Sequence, residues 1–329
     1  MEYRQLGKTD MRISTIALGC WGLVGDAHWG PRDEADSLAT ARAALDAGIN
    51  FFDTAEAYGN GESEAVLGRA LAGRRHEAII ASKVSDSNLA PDDVIKACER
   101  SLRQLNTDYI DLYQIHYANH TIPIADTAGA LLRLKEQGKI RAVGVSNFGV
   151  QDLADILALV PCQSNQLPYS LIWRAIEYEI VQKCIQSGLG ILAYSPLLHG
   201  LLTGRFASAD EVPEGRARTR HFSRTRARTR HGQPGFEAET FATIERIRGI
   251  SQTIGRPMAQ VAIAWVLCQP DITSVIVGAR NPAQVRENLP AWQLTLSAQT
   301  MRQLDEATSD LKQKLGTNPD LWQSQSRFR

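Results

Sequence analysis

The chain has 329 residues, 43% hydrophobic and 22% charged, the balance of an ordinary globular protein, and its 36 basic residues match its 36 acidic ones, so no global field draws it to nucleic acid or an anionic membrane. Its five cysteines (Cys20, Cys98, Cys162, Cys184, Cys268) are scattered and never form a C-x-x-C pair, which speaks against a disulfide framework or zinc site. The N-terminus carries no apolar signal core and no apolar run is long enough for a membrane span, so the expected location is cytoplasmic.

Residues 1–14 read as a hairpin, with Gly7, Lys8, Thr9 and Asp10 as its turn, placed to plug the N-terminal end of the sheet that follows. Short apolar runs then alternate with helical patterns. The runs cover residues 14–19, 49–53, 78–83, 110–116, 141–146, 162–166, 190–195 and 273–278. Each is too short for a helix and several are rich in β-branched residues, which predicts strands. Pro91, Asp92 and Asp93 open a helix, and Gly48, Gly138 and Gly188 fall where a helix should stop before the next strand. Strand–helix alternation with continuously apolar strands predicts a parallel sheet buried on both faces. Eight such units predict an α/β fold, a (β/α)8 TIM barrel, occupying residues 1–329 as one domain.

The alternation breaks once, over residues 197–235, after the seventh barrel strand. The break holds Arg216, Arg218, Arg220, Arg224, Arg226, Arg228 and Arg230 with no acid among them, and the hexad Arg-Ala-Arg-Thr-Arg-His at 216–221 recurs at 226–231. A loop this long is functional or disordered. Three readings stand open: a lid over the mouth of the barrel, a solvated loop, and a phosphate-contacting nucleic-acid surface. Zero net charge gives nucleic acid no long-range attraction, so no such partner is expected. Two helices, near 236–254 and 257–267, precede the last strand. A final helix runs from Ser297 to about Leu315, and a polar tail carries Trp322 and Phe328.

Active sites of such barrels lie at the C-terminal ends of the strands. The second, third and fourth strands end at Asp53, Lys83 and His116, and Tyr58 stands five residues beyond Asp53 in the adjoining loop. Taken singly, each has a structural explanation. Together they form a coherent set for moving a hydride to a carbonyl carbon, because the oxygen then needs a proton. A lysine ammonium about 4 Å from the phenol would favour phenolate by roughly 4 kcal/mol at an effective dielectric near 20. That would bring Tyr58 toward working pH, with Asp53 holding Lys83 and His116 donating to the carbonyl oxygen.

The residues 51–59 (Phe-Phe-Asp-Thr-Ala-Glu-Ala-Tyr-Gly), Lys83, 111–116, 143–148 (Val-Gly-Val-Ser-Asn-Phe), 164–166 and 194–197, with the segment around Arg280 and Asn288, resemble the aldo-keto reductase superfamily. The resemblance runs in register from residue 1 to about residue 312. It implies a catalytic tetrad of Asp53, Tyr58, Lys83 and His116 and a dinucleotide, NADPH ahead of NADH, bound without a Rossmann domain. In keeping with this, no G-x-G-x-x-G opens a helix after any predicted strand. The resemblance further implies that Ser146, Asn147 and Gln166 hold the nicotinamide carboxamide, that Tyr194 stacks on its ring, and that Ser195 and Leu197 cover the pyrophosphate. Alone, Ser146 and Asn147 also read as a helix N-cap. Trp21, after the first strand, is expected to line the pocket.

Arg280 follows the last strand just before a helix beginning near Pro282, the corner where barrels favour phosphate because helix amides face the anion. The resemblance places the adenosine 2′-phosphate there, with Gln284, Glu287 and Asn288 toward ribose and adenine. Gly278, Ala279 and Gln284 stand where some branches carry Lys, Ser or Arg. The implied activity is reversible reduction of aldehydes and ketones, with a small carbonyl or alcohol as the partner. The alternative is a regulatory subunit that keeps the barrel and cofactor with little turnover, as potassium-channel β-subunits of similar sequence do.

Overall fold

In the computed structural model, which describes residues 1–26 and 28–329, a two-stranded hairpin precedes a closed ring of parallel strands. The hairpin pairs β1 (Tyr3–Gln5) with β2 (Arg12–Ser14). The ring consists of β3 (Ile16–Gly19), β4 (Phe51–Asp53), β5 (Ile79–Val84), β6 (Ile110–Ile115), β7 (Ile140–Ser146), β8 (Cys162–Pro168), β9 (Gly190–Tyr194) and β10 (Ile272–Gly278), and β10 closes on β3. Outside it stand α1 (Glu34–Asp46), α2 (Glu62–Ala70), α3 (Pro91–Leu105), α4 (Ile124–Glu136), α5 (Val150–Leu157) and α6 (Ile180–Ser187). After β9 come α7 (Glu237–Thr253) and α8 (Met258–Leu267), and after β10 come α9 (Pro282–Asn288) and α10 (Ala298–Leu315). The fold is the expected (β/α)8 barrel.

Local chemistry sets the helix ends. Pro91 occupies the first turn of α3, where its missing N–H costs nothing. Asn281 and Ser297 cap α9 and α10 by accepting from the amides of Gln284 and Thr300. Gly188 ends α6 in the left-handed region at φ 68°.

Strand periodicity divides the core in two. Leu18, Phe52, Ile80, Tyr113 and Val143 face the helices, whereas Ala17, Phe51, Ala81, Leu112, Ala142, Leu192 and Ile276 fill the barrel interior. The hairpin supplies Leu6, Met11 and Ile13 to that interior cluster and so plugs its N-terminal end. Its turn needs Gly7: φ is +53°, and a Cβ there would lie 2.4 Å from the backbone oxygen of Gln163.

The long segment after β9 is folded, with short 3-10 turns at Leu198–Thr203 and Ala209–Glu211 ahead of its arginine-dense part. It is anchored from within. His221 Nε2 donates to the Ile172 carbonyl at 2.7 Å, and Arg220 donates to the carbonyls of Leu315 and Asn318 at 3.0 and 2.9 Å. Arg226 pairs with Glu237 and Glu214 at 3.1 and 3.2 Å. The tail after α10 is tied to itself by the Arg327–Asp320 pair at 2.6 Å and docks through the Arg329 amide, which donates to Asp152 at 2.7 Å. No helix among the described residues is long and apolar enough to cross a membrane.

Candidate active site

Two-residue periodicity decides what enters the barrel mouth. Two residues beyond inward-facing Phe51, Ala81, Leu112 and Leu192 stand Asp53, Lys83, Gln114 and Tyr194, and His116 follows Gln114 by two more. The same parity on β7 and β8 carries Ser146 and Gln166 inward, where both line a cavity of 770 Å³ at the C-terminal ends of the strands. Tyr58 arrives from the loop after β4. Gly59, Asn60 and Gly61 all take positive φ, which turns the chain sharply and sets the phenol over the mouth.

Lys83 is fully buried. Its Nζ donates to Asp53 Oδ1 at 2.7 Å, to the Thr54 carbonyl at 2.9 Å and to Tyr58 Oη at 3.3 Å. Burial works against its charge, but Asp53 and the phenol outweigh that and hold the ammonium above its ordinary range. Gln166 Nε2 donates to the other Asp53 oxygen at 2.7 Å. The His116 ring meets the Tyr58 ring edge-on, centroids 5.8 Å apart. Burial first, then Lys83 and Arg327, push this imidazole down to about 3, so it is neutral at physiological pH.

The phenol corrects one expectation. Lys83 does pull Tyr58 toward phenolate, but burial dominates, Asp53 adds to it, and the group is pushed up to about 12 rather than brought near neutrality. The attraction set by the distance between the charges is outweighed by the cost of desolvating the phenolate. Tyr58 is therefore a held proton.

Ser146 and Asn147 do not cap a helix: that place before α5 belongs to Gly149, three residues past the end of β7. Instead Asn147 takes φ +61°, donates to the His116 carbonyl at 3.0 Å and accepts from Tyr194 Oη at 2.9 Å, while Ser146 Oγ donates to the Gln166 carbonyl at 3.1 Å. Ser195, Leu198 and His199 also have positive φ, at 56°, 40° and 54°. Non-glycine residues held this way cluster where a surrounding site over-determines them. All four line the cavity.

Toward the other end, Gly278, Arg280, Gln284, Glu287 and Asn288 line the same cavity, together with Leu197. The Arg280 amide donates to Gln284 Oε1 at 2.8 Å and one guanidinium nitrogen donates to the Pro31 carbonyl at 3.2 Å. Its Nε is buried without a partner among the described residues, as are Nε of Arg216 and of Arg218. Buried guanidinium donors left unmet on the walls of a long cleft fit a polyanionic ligand such as a dinucleotide. Trp21 stacks on Tyr58 with centroids 6.0 Å apart and donates to Asp26 at 3.0 Å.

Trp29, His199, Trp322 and Arg327 also line the cavity, and sequence reasoning did not single them out as site residues. The aromatic residues of the polar tail were the one available signal for Trp322. Segment 216–230 splits between two jobs, with Arg216, Arg218, Arg228 and Arg230 lining the cavity and Arg220 and Arg226 bonding the chain itself.

Residues 15–309 match the model of the aldo/keto reductase family. The chain belongs to that family. It is 34% identical to aldo-keto reductase YhdN of Bacillus subtilis, covering 89% of this chain and 90% of that protein. It is 33% identical to the NADH-specific methylglyoxal reductase of Escherichia coli, over 93% and 99% of the two chains. The crystal structure of an aldo-keto reductase from Klebsiella pneumoniae in complex with NADPH superposes with a TM-score of 0.72 at 29% identity, over 92% and 93% of the chains. As an aldo/keto reductase, this protein is an NAD(P)H-dependent oxidoreductase of a family that acts on small-molecule carbonyl compounds.

Proposed function

We propose that this chain is an NADPH-dependent carbonyl reductase, reversible as an alcohol dehydrogenase, in which Tyr58 protonates the carbonyl oxygen. The observation that carries the reading is the Tyr58 phenol at 3.3 Å from the buried Lys83 ammonium, edge-on to a neutral His116, at the floor of one cavity. The dinucleotide, when bound, supplies the hydride. Tyr58 gives its proton to the oxygen as charge develops there. Neutral His116 donates an N–H to the same oxygen and fixes its direction. Lys83, held by Asp53, stabilises the phenolate left behind and keeps it aimed.

Ser146, Asn147 and Gln166 suit the carboxamide because their polar atoms already converge at the mouth, and the Tyr194 ring lies beside them. Ser195 and Leu197 continue the wall toward the phosphates. Arg280, with Gln284, Glu287 and Asn288 around it, suits the 2′-phosphate, since its Nε has no partner among the described residues. That favours NADPH, and a similar protein is described in complex with NADPH. The decisive assay follows nicotinamide absorbance with NADPH, then NADH, across aldehydes and ketoses. Tyr58→Phe should lower turnover by roughly 10²- to 10⁴-fold with the fold intact. Near-wild-type turnover in that variant would remove Tyr58 from the mechanism.

A further inference from the structure

The cationic side chains of the cavity form two groups. Arg216 is close enough to Arg205 and Arg280 to feel their charge, and Arg32 lies beside Arg280, so this group stands at the proposed dinucleotide end. Arg218 belongs to the second group. Its charged neighbours are Arg228, Arg230 and Asp26, and its guanidinium lies 5.4 Å from the centre of the Trp21 ring and 4.4 Å from that of Trp322. Trp21 in turn stacks on Tyr58. The second group therefore stands at the end where the proposed proton donor sits.

Arg218 is fixed but not neutralised. Asp26 Oδ2 accepts from His28 Nδ1 at 3.0 Å, and His28 Nε2 accepts from Arg218, so the imidazole relays orientation without cancelling charge. Two tryptophans hold the guanidinium plane. Its Nε is buried and unpartnered among the described residues. A half-buried cation with a free donor is costly unless an anion completes it. Arg327, by contrast, is already paired with Asp320 and does not serve.

We propose that Arg218, backed by Arg228 and Arg230, is an anion subsite of the substrate pocket, and that the carbonyl compounds reduced here carry a phosphate or carboxylate a few bonds from the carbonyl. The inference rests on the reductase reading above and adds the substrate class to it. The hexad repeat acquires a purpose, because its first copy contributes Arg218 and its second Arg228 and Arg230 to one wall.

Steady-state rates would compare glyceraldehyde with glyceraldehyde 3-phosphate and butanal with succinic semialdehyde, so that phosphate and carboxylate are separated. In the wild type the charged member of at least one pair should have the higher kcat/KM by about tenfold or more, the scale of a charge-assisted hydrogen bond. That advantage should collapse in Arg218→Ala and return in part in Arg218→Lys, which restores charge without the planar fork. Equal values within both pairs, or an advantage that survives Arg218→Ala, would overturn the subsite.

Binding gives a readout independent of turnover. Trp21 and Trp322 flank Arg218, so 3-phosphoglycerate and succinate can be titrated by tryptophan fluorescence. Arg218→Ala should weaken the anion that binds by about tenfold, and the wild-type response should persist in Arg280→Ala. Weakening by Arg280→Ala instead would assign the anion to the dinucleotide end and overturn the proposal. Arg218-dependent anion binding without turnover of any carbonyl would leave the subsite standing and sink the reductase reading.

Discussion

Raising the pH of the free protein should leave the Tyr58 phenol protonated until about pH 12. At 3.3 Å and an effective dielectric near 20, Lys83 favours the phenolate by ~5 kcal/mol. Burial of the anion and the Asp53 charge more than offset that attraction, which leaves the group above an ordinary tyrosine. Difference absorbance at the tyrosinate band between wild type and Tyr58→Phe isolates this one phenol. Lys83→Met should push its ionisation higher still. The same variant should lower the melting temperature, because Asp53 then stays buried with Gln166 as its remaining close donor. The kinetic counterpart has a sign. Carbonyl reduction uses the protonated phenol and should be flat through neutrality, whereas alcohol oxidation uses the phenolate and should climb about tenfold per pH unit. A tyrosinate signal with a midpoint below about pH 9 that vanishes in Tyr58→Phe would refute the reasoning, as would an oxidation rate already level there.

Arg280→Ala should weaken NADPH by about 10- to 150-fold and NADH by a few-fold at most, read by fluorescence titration; equal weakening of both would take Arg280 off the 2′-phosphate. Glu64 is buried against Ser82, and burial pushes its carboxyl from 4.5 up to about 7. The folded protein then keeps a proton that the unfolded chain has lost, so stability falls as pH rises from about 4.5 to about 7, by up to about 3 kcal/mol. Glu64→Gln should flatten that slope in thermal melts between pH 5 and pH 8, and parallel curves for the two proteins would exclude the carboxyl as its source. Gly7→Ala forces a left-handed backbone and a clash with Gln163, so it should cost at least about 1 kcal/mol in denaturant unfolding. An unchanged midpoint would mean that the hairpin plug yields locally.

The barrel was legible because its signal is local. Each strand is a short apolar run, several helices carry recognisable end signals, and parallel strands bring their C-terminal ends to one face of the barrel. Asp53, Lys83 and His116 therefore had to share a rim once eight units closed, and the fixed alternation along β7, β8 and β9 sent Ser146, Gln166 and Tyr194 to the same place. Boundaries moved by a residue or two where pairing, rather than composition, ends a strand: β8 runs on to Pro168 because β9 pairs with it there.

Tertiary structure alone decided the rest. The Tyr58 proton depends on how completely water is excluded around it, which no spacing along the chain encodes. Arg218 and Arg220 occupy equivalent kinds of position in one hexad, yet one lines the cavity and the other bonds carbonyls behind α10. Trp322 reaches the cavity only because the tail folds back across the mouth, where it stacks on His199 and meets Arg218. Such contacts join residues about a hundred positions apart. Their energies depend on closure of the whole chain, and local propensity carries no trace of them.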